Sequence, residues 1–265
     1  MSTTVFPPSA REIPAAMPVS TDAAMPQYTR RKVFGIWAAA AIPMGTLAWV
    51  VAPFVRDHIG GRDPFIEAVL MCFTAGLLWV LALALILVRR ERGTLRGARG
   101  AMWLRAPRDP KTGRRGGKVW WMAVPFVFLS ALLNGLPIDP VGPMPRDLPH
   151  LIDTDRAEAF FHGNWLWFAM VVVVAMLAPI VEELLFRGVL LPRMRAACGK
   201  GDVAVNGAMF GLYHLHQPWS MPAAIIDGIV AQAYPTKRYR STWMGLITHT
   251  VPSFVIIGVV LSLVI

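Results

Sequence analysis

The sequence predicts an all-α protein, a polytopic transmembrane helical bundle with about seven membrane segments. Three observations lead to this fold class. Of the 265 residues, 55% are hydrophobic and 16% are charged, and the mean hydropathy is +0.50. Several separate apolar runs reach the roughly 20 helical residues that cross a bilayer core. The positive charge is concentrated between these runs, as in membrane proteins of fixed orientation.

The apolar runs divide the chain into its predicted elements. They fall at about residues 34–55, 65–88, 119–136, 164–191, 203–219, 222–234 and 242–265. Residues 1–33 are rich in Pro, Ser and Thr and lack apolar periodicity, which predicts a disordered cytoplasmic tail. Residues 34–136 then form the N-terminal membrane segments, 137–163 an external loop, and 164–265 a C-terminal membrane core. The run at 222–234 is short for a full span, which predicts a tilted, broken or re-entrant segment.

The Lys and Arg residues predict the orientation of the bundle. Residues 89–118 hold eleven Lys and Arg against two acids, a net charge of +9 where the whole chain carries +10. If the N-terminus is cytoplasmic and the chain crosses seven times, inside segments hold twenty-one Lys and Arg and outside segments hold four. The basic segment is therefore predicted to be a cytoplasmic loop of an integral membrane protein. The localisation that we expect is a bacterial plasma membrane. Contact of this loop with anionic lipid is compatible with the same charge, whereas a nucleic-acid partner is not expected.

Ionisable residues inside the apolar runs are the candidates for function, because an unpaired charge at membrane depth costs several kcal/mol. They are Glu67, Glu182, Glu183, Arg187, His214, His216, Asp227 and His249. The competing interpretation for each is a structural ion pair that joins helices. For Glu67, which lies near the end of an apolar run, a structural ion pair is at least as good an explanation as a functional role. Asp227 is left open as a helix cap, a cavity residue or an ion-pair partner, and no catalytic role is predicted for it.

The stretch APIVEELLFRGVLL, residues 178–191, places two glutamates side by side. Glu183 and Arg187 are spaced i,i+4 with the acid first, which is the favoured order for a helical ion pair. Glu182 points about 100° around the helix and has no such partner in its own segment. The spacing therefore predicts that Glu183 is neutralised locally while Glu182 stays available for general acid/base chemistry.

Depth along the predicted helices groups Glu182 with two histidines. At 1.5 Å per residue, Glu182 and His214 lie roughly 15 Å from the inner ends of their runs, and His249 lies roughly 10 Å from the inner end of the last run. His214 and His216 are two residues apart, so at most one of them is expected to face the glutamates. His249 and Ser253 are spaced i,i+4 and share a face, where they could donate hydrogen bonds to a developing oxyanion.

Three motifs in this half of the chain resemble those of a known family. EELLFRG, FGLYH and HTVPS occur in this order, and they match the EExxxR, FxxxH and HxxxN patterns of the CAAX-processing and bacteriocin-processing (CPBP) proteases. That family consists of intramembrane glutamate proteases. The resemblance covers about residues 160–265 and implies a CAAX-protease-like core that acts as an intramembrane endopeptidase on a membrane-embedded peptide or protein.

The resemblance also implies a role for each matching residue. Glu182 would be the base that activates water, aided by His214. His249 and Ser253 would stabilise the oxyanion, with Ser253 standing where the family usually has asparagine. The residues that would support the site are Glu183, Arg187 and Phe210.

Other chemistries fit the sequence less well. No HExxH is present, so no metal or other cofactor is predicted, although glutamate and histidine could hold zinc in another arrangement. GKGD at 199–202 is similar to the glycine-aspartate motif of intramembrane aspartyl proteases, but Asp202 at a helix start is better explained as an N-cap. No GxSG supports a serine site. The alternative function is a catalytically weak or inactive scaffold, or a bacteriocin-immunity-type protein, of the same fold. Transport is less favoured, since no paired inverted repeat is found.

Overall fold

The computed structural model describes residues 25–92, 95–135 and 154–265, and within these ranges the chain is largely helical and has no strand. Most of the predicted tail and of the external loop lies outside the described residues. In the described part of the tail, Tyr28 is buried, and the first helix begins at Arg30 rather than near residue 34. The Thr29 hydroxyl accepts a hydrogen bond from the Lys32 N–H at 3.3 Å and so caps this helix.

The described residues form an all-α membrane bundle, which confirms the predicted fold class. The α-helices are α1 (Arg30–Thr46), α2 (Ala52–Arg56), α3 (Pro64–Arg92), α4 (Leu95–Ala101), α5 (Val124–Gly135), α6 (Thr154–Phe161), α7 (Trp165–Glu183), α8 (Arg195–Cys198), α9 (Asp202–Tyr213), α10 (Met221–Asp227), α11 (Tyr234–Tyr239) and α12 (Thr242–Val264). Three segments are π-helical: Leu47–Val51, Leu184–Leu190 and Gly228–Ala233.

Four continuous helical stretches within the described residues are long and apolar enough to cross a membrane. They are Arg30–Arg56, Pro64–Glu91, Trp165–Arg193 and Thr242–Val264. A shorter apolar stretch, Gly117–Leu133, corresponds to the predicted third segment. The predicted fifth and sixth segments are shorter still, because α9 ends at Tyr213 and α10 passes into a π-helix. The 12 residues of α9 rise about 18 Å, less than the roughly 30 Å of a hydrocarbon core.

Glycines bring α9 into backbone contact with α10 and the π-helix that follows it. A Cβ atom at Gly207 would lie 2.4 Å from the backbone nitrogen of Ile229, and one at Gly211 would lie 2.6 Å from that of Ile225. Small residues four apart allow this close approach between helices in membranes. The contact also sets Gly228 against the Phe210 ring, so it determines how two segments of the candidate site meet.

A buried arginine joins the segments at one end of the bundle, which we call the basic end. Arg193 is fully buried, and its Nε lies 2.9 Å from a carboxylate oxygen of Glu91 at the end of α3. Its Nη1 donates to the carbonyl oxygens of Ala101 and Gly188 at 3.1 and 3.2 Å. The Tyr28 hydroxyl donates to the same Glu91 carboxylate. A buried guanidinium with this many partners fixes α3, α4 and α7 against one another.

Gly211→Ala is expected to destabilise the protein, because the new methyl group meets backbone and cannot be accommodated by a rotamer change. Overpacking of this kind costs about 1–3 kcal/mol. Gly258→Ala in α12 is the matched control, since nothing lies within 4 Å of a Cβ at that position. Alanine also has the higher helix propensity. Thermal melting of both variants in one detergent tests this, and equal melting temperatures would contradict the packing described for α9.

Candidate active site

A cavity of about 510 Å³ lies among α3, α7, α12 and the turn that follows α9. Its polar lining residues are Glu182, His214, His216, Gln217, Ser220, Asp227, Gln232, His249 and Ser253. The other lining residues are largely apolar and include Leu70, Phe73, Val174, Ala178, Ile256 and Val260. A small set of polar groups within apolar walls is typical of ligand and active sites.

The four residues predicted to be catalytic line this one cavity. Glu182 comes from the last turn of α7, His214 directly follows α9, and His249 and Ser253 lie one turn apart on α12. Glu182 and Ser253 are buried, with exposed fractions of 4% and 7%. Three segments separated in sequence thus bring an acid and two imidazoles to one enclosure, as the depth estimates predicted.

Glu183 and Arg187 are both fully buried, and neither lines the cavity. Arg187 Nη1 lies 3.2 Å from Glu183 Oε1, in the i,i+4 ion pair that the spacing predicted. Arg187 Nη2 also donates to the side-chain oxygen of Gln232 and to the carbonyl oxygen of Gly228, the latter at 3.3 Å. The guanidinium carbon lies 4.2 Å from the centroid of the Phe210 ring, in cation–π geometry. Arg187 therefore joins Glu183, Gln232 and Phe210 in one buried cluster next to the cavity.

His249 connects the two glutamates. Its Nε2 lies 3.8 Å from Glu182 Oε2, and its Nδ1 lies 3.4 Å from Glu183 Oε1. Gly245, one turn earlier on α12, makes room for this arrangement, because a Cβ there would lie 2.3 Å from a Glu183 carboxylate oxygen. This contact could not be predicted from spacing, because spacing within one helix carries no information about a neighbouring helix.

The orientation of His214 follows from its contact with Phe210. Its Nδ1 lies 2.9 Å from the Phe210 carbonyl oxygen. A carbonyl oxygen can accept but not donate, so Nδ1 carries the proton and Nε2 is left as the acceptor. The Phe210 ring packs edge-on against the His214 ring, with 4.8 Å between centroids. Phe210 thereby fixes both the position and the tautomer of the imidazole.

The prediction that at most one of His214 and His216 faces the glutamates assumed that α9 continues through both residues. Both line the cavity, and their rings stack with centroids 5.3 Å apart and planes 25° apart. The physical reason is that α9 ends at Tyr213 and His214 has a ψ of 37°. Helical periodicity therefore stops before His216, and its side chain turns back toward the cavity.

Sequence reasoning missed Tyr213 and Gln232, whereas it had already named Asp227 as a possible cavity residue, and Asp227 does line the cavity. Tyr213 is fully buried and packs against His214 and His216, with ring centroids 5.3 and 5.7 Å apart. Gln232 donates its side-chain N–H to Asp227 at 2.7 Å and so extends the Arg187 cluster toward the cavity. Asp227 could be flagged by its charge, but Gln232 and Tyr213 are neutral and give no such signal.

Two other ionisable residues have structural contacts away from this cluster. Glu67 accepts the backbone N–H of Arg62 at 3.1 Å, near the start of α3. Asp202 is the first residue of α9, with Gly201 at the N-cap position, one residue from the prediction. Its carboxylate accepts the Val203 N–H at 2.9 Å and pairs with Lys237. Within the described ranges, no three His, Cys, Asp or Glu side chains are grouped as ligands for one metal ion.

Comparison with known proteins agrees with these motifs. Residues 164–255 match the family model of type II CAAX prenyl endopeptidases, Rce1-like. No curated protein and no solved structure matches the chain. The matched segment begins just before α7 and ends within α12, so it contains all three motifs and every residue of the Glu183–Arg187 cluster. The long apolar helices are those of an integral membrane protein. Residues 164–255 are similar to the CAAX-protease family that the motifs indicated.

Proposed function

We propose that the protein is an intramembrane glutamic endopeptidase that hydrolyses a peptide bond of a membrane-associated protein or peptide. The observation that carries this proposal is the convergence of Glu182, His214 and His249, from three segments, on one cavity with apolar walls. Similarity to the CAAX-protease family supports a protease in general. The apolar walls suit an apolar substrate segment and limit the access of bulk water, which strengthens electrostatic interactions inside the site.

In the proposed reaction, Glu182 accepts a proton from a water molecule held near Nε2 of His214. The water oxygen bonds to the carbonyl carbon of the substrate, and the electron pair of the C=O bond moves to the carbonyl oxygen. When this tetrahedral oxyanion collapses, the C–N bond breaks and Glu182 returns the proton to the leaving nitrogen. The products are a carboxylic acid and an amine. General acid/base catalysis of this kind contributes roughly 10²–10⁴-fold in rate.

His249 and Ser253 are proposed to donate hydrogen bonds to the oxyanion. The 3.4 Å contact between His249 Nδ1 and Glu183 supports this role. A carboxylate that holds one ring nitrogen fixes the orientation of an imidazole, and here it leaves Nε2 on the Glu182 side. The Ser253 hydroxyl is shorter than an asparagine amide and rotates freely, so we assign the larger share of oxyanion stabilisation to His249.

We further propose that the basic end of the bundle faces the cytoplasm of a bacterial cell, with the N-terminus on that side. The first helix begins at this end, and the Arg105 Nε donates to the Arg240 carbonyl oxygen at 3.1 Å, which brings two basic segments together there. Concentration of Lys and Arg at one end of a bundle is the signature of the cytoplasmic side.

A binding protein of the same fold, such as a bacteriocin-immunity-type protein, is the second candidate. The presence of Ser253 at the position of the usual asparagine favours it, because a weaker oxyanion donor would lower turnover without disturbing the bundle. The two functions differ in one requirement, since binding alone does not need the Glu182 carboxylate.

Glu182→Gln is expected to lower the rate of cleavage by about 100-fold or more, because the amide cannot accept the proton from water. The measurement is quantitative proteomics of membranes from cells that express the wild-type or variant protein, scoring membrane peptides that accumulate uncleaved. Glu158→Gln is the control, since Glu158 is an exposed residue of α6 outside the cavity. The variant protein must be inserted in the membrane and monodisperse. If the peptide termini are then identical in Glu182→Gln and wild-type cells, the protease proposal is rejected and the binding protein is favoured.

Arg187→Met is expected to lower the free energy of unfolding by about 3–5 kcal/mol, because it leaves the buried Glu183 without its cation. The double variant Glu183→Gln/Arg187→Met removes both charges and should regain much of that loss. Arg195→Met is the control, since the Arg195 side chain is 55% exposed and surface pairs contribute little. Unfolding of all variants in one detergent is the measurement. A double variant no more stable than Arg187→Met would show that the pair is not the stabilising contact.

Chelation tests the proposed mechanism separately, because that mechanism uses side chains and water alone. Cleavage of a peptide identified by the proteomic comparison is expected to survive exhaustive dialysis against EDTA and 1,10-phenanthroline. Elemental analysis of the same sample checks that zinc has been removed. Loss of activity that is restored by added zinc would overturn the metal-free mechanism and favour the zinc arrangement left open by the sequence.

A further inference from the structure

We infer that the basic end carries a binding site for an anionic phospholipid, separate from the cavity that holds Glu182. A second cavity, of about 350 Å³, is lined by Arg108, Pro110, Lys237, Arg238 and Arg240. Four of these five residues are cations, and no acid is among them. Guanidinium groups bind phosphate through paired, charge-assisted hydrogen bonds, so this cavity is suited to a phosphate-bearing anion.

The positive charge of this basic cavity is only partly neutralised by the protein. Lys237 pairs with Asp202, whereas Arg108 and Arg238 form no ion pair within the described part of the chain. Asp109 follows Arg108 directly, but its carboxylate accepts two backbone N–H groups of its own turn, at 2.7 and 3.2 Å. The cavity therefore keeps a net positive charge that a bound anion would balance.

Backbone contacts fix the two segments that form the basic cavity. The Arg108 N–H donates to the Tyr239 carbonyl oxygen at 2.8 Å, and the Ser241 hydroxyl donates to the Arg105 carbonyl oxygen at 2.6 Å. Arg240 ends α11 in the left-handed conformation, with a φ of 49° and a ψ of 47°. The cations are thus held on a defined surface between α11 and the loop before α5.

The depth of the basic cavity matches the headgroup region of a bilayer. Arg240 lies two residues before the start of α12, which is a candidate span. Trp243 and Trp121 are 38% and 74% exposed, and exposed tryptophans are typical of the boundary between headgroups and hydrocarbon. Basic pockets between membrane helices on the cytoplasmic side are characteristic sites for anionic headgroups.

An apolar groove beside the basic cavity can hold an acyl chain of the same lipid molecule. It has a volume of about 310 Å³ and is lined by Trp120, Trp121, Ala123, Val124, Val127 and Ile247. Tyr239, which lies between Arg238 and Arg240 in sequence, packs in the same hydrophobic cluster as Ala123 and Ile247. Tyr239 therefore connects the residues that line the groove with those that line the basic cavity. A phospholipid fills both, with its phosphate among the arginines and an acyl chain along the groove, whereas free phosphate fills the cavity alone.

Native mass spectrometry of the full-length protein tests the inference. The protein is first reconstituted with equal amounts of dioleoyl phosphatidylglycerol and dioleoyl phosphatidylcholine. The wild type is expected to retain phosphatidylglycerol over phosphatidylcholine by about tenfold or more. Arg108→Gln/Arg238→Gln should bring the ratio close to one. Arg31→Gln/Lys200→Gln removes two exposed charges at the same end of the bundle, outside the cavity, and should keep the wild-type ratio.

The groove and the source of the phosphate are tested in the same preparation. Trp121→Ala should reduce phosphatidylglycerol retention, whereas Trp165→Ala, which removes another exposed tryptophan outside the groove, should not. Inorganic phosphate should fail to displace the lipid at equal concentration. Three results would each overturn the inference. They are equal retention of both lipids by the wild type, full displacement of the lipid by phosphate, and a lipid-free dimer that covers the groove. The inference would also be overturned if the Arg31/Lys200 variant lost as much lipid as the Arg108/Arg238 variant.

Discussion

A buried ion pair between Glu183 and Arg187 is the interaction on which the site depends. Both side chains are fully buried, and each charge removed from water costs several kcal/mol unless partners compensate. Arg187 is therefore shared among Glu183, Gln232 and the Gly228 carbonyl, and Glu183 is shared with His249. The requirement to neutralise these two charges thus joins α7, the π-helix after α10, and α12. These segments also supply Glu182, Gln232 and Ser253 to the cavity.

Irregular backbone follows two of the α-helices that contribute residues to the cavity. The π-helix Leu184–Leu190 follows Glu183 directly, and Gly228–Ala233 follows Asp227. Within a membrane, a carbonyl freed by such a turn needs another donor. Asn206 donates to the Phe186 carbonyl at 2.8 Å, and Arg187 donates to that of Gly228. The side chains that hold the site together therefore also satisfy the backbone, which is why π-helical turns can persist at a functional position.

Helical spacing in the sequence predicts the position of a side chain within a continuous helix, but not beyond the residue at which the helix ends. Spacing and depth placed Glu182 and His249 correctly, because α7 and α12 keep one helical register over their lengths. The same reasoning does not apply to His216, since α9 stops three residues earlier. Gln232 could not be found, because a neutral side chain in an apolar run gives no signal of burial beside an arginine. Hydropathy predicted seven segments, and four of them contain helices long enough to cross a membrane within the described residues. Hydropathy alone does not distinguish apolar residues that face lipid from those that pack inside a bundle.

The two adjacent glutamates differ in access, and this difference decides which of them can act on water. Glu183 lies against Gly245 and contacts both Arg187 and His249, so its carboxylate is enclosed by protein. Glu182, about 100° around the same helix, lines the cavity, and the ion pair nearest to it is the 3.8 Å contact with His249. Protonation of Glu183 would leave Arg187 as an uncompensated buried cation, whereas transient protonation of Glu182 leaves the Glu183–Arg187 pair intact. We therefore propose that Glu183 stabilises the bundle and that Glu182 is the carboxylate that takes up and returns the proton.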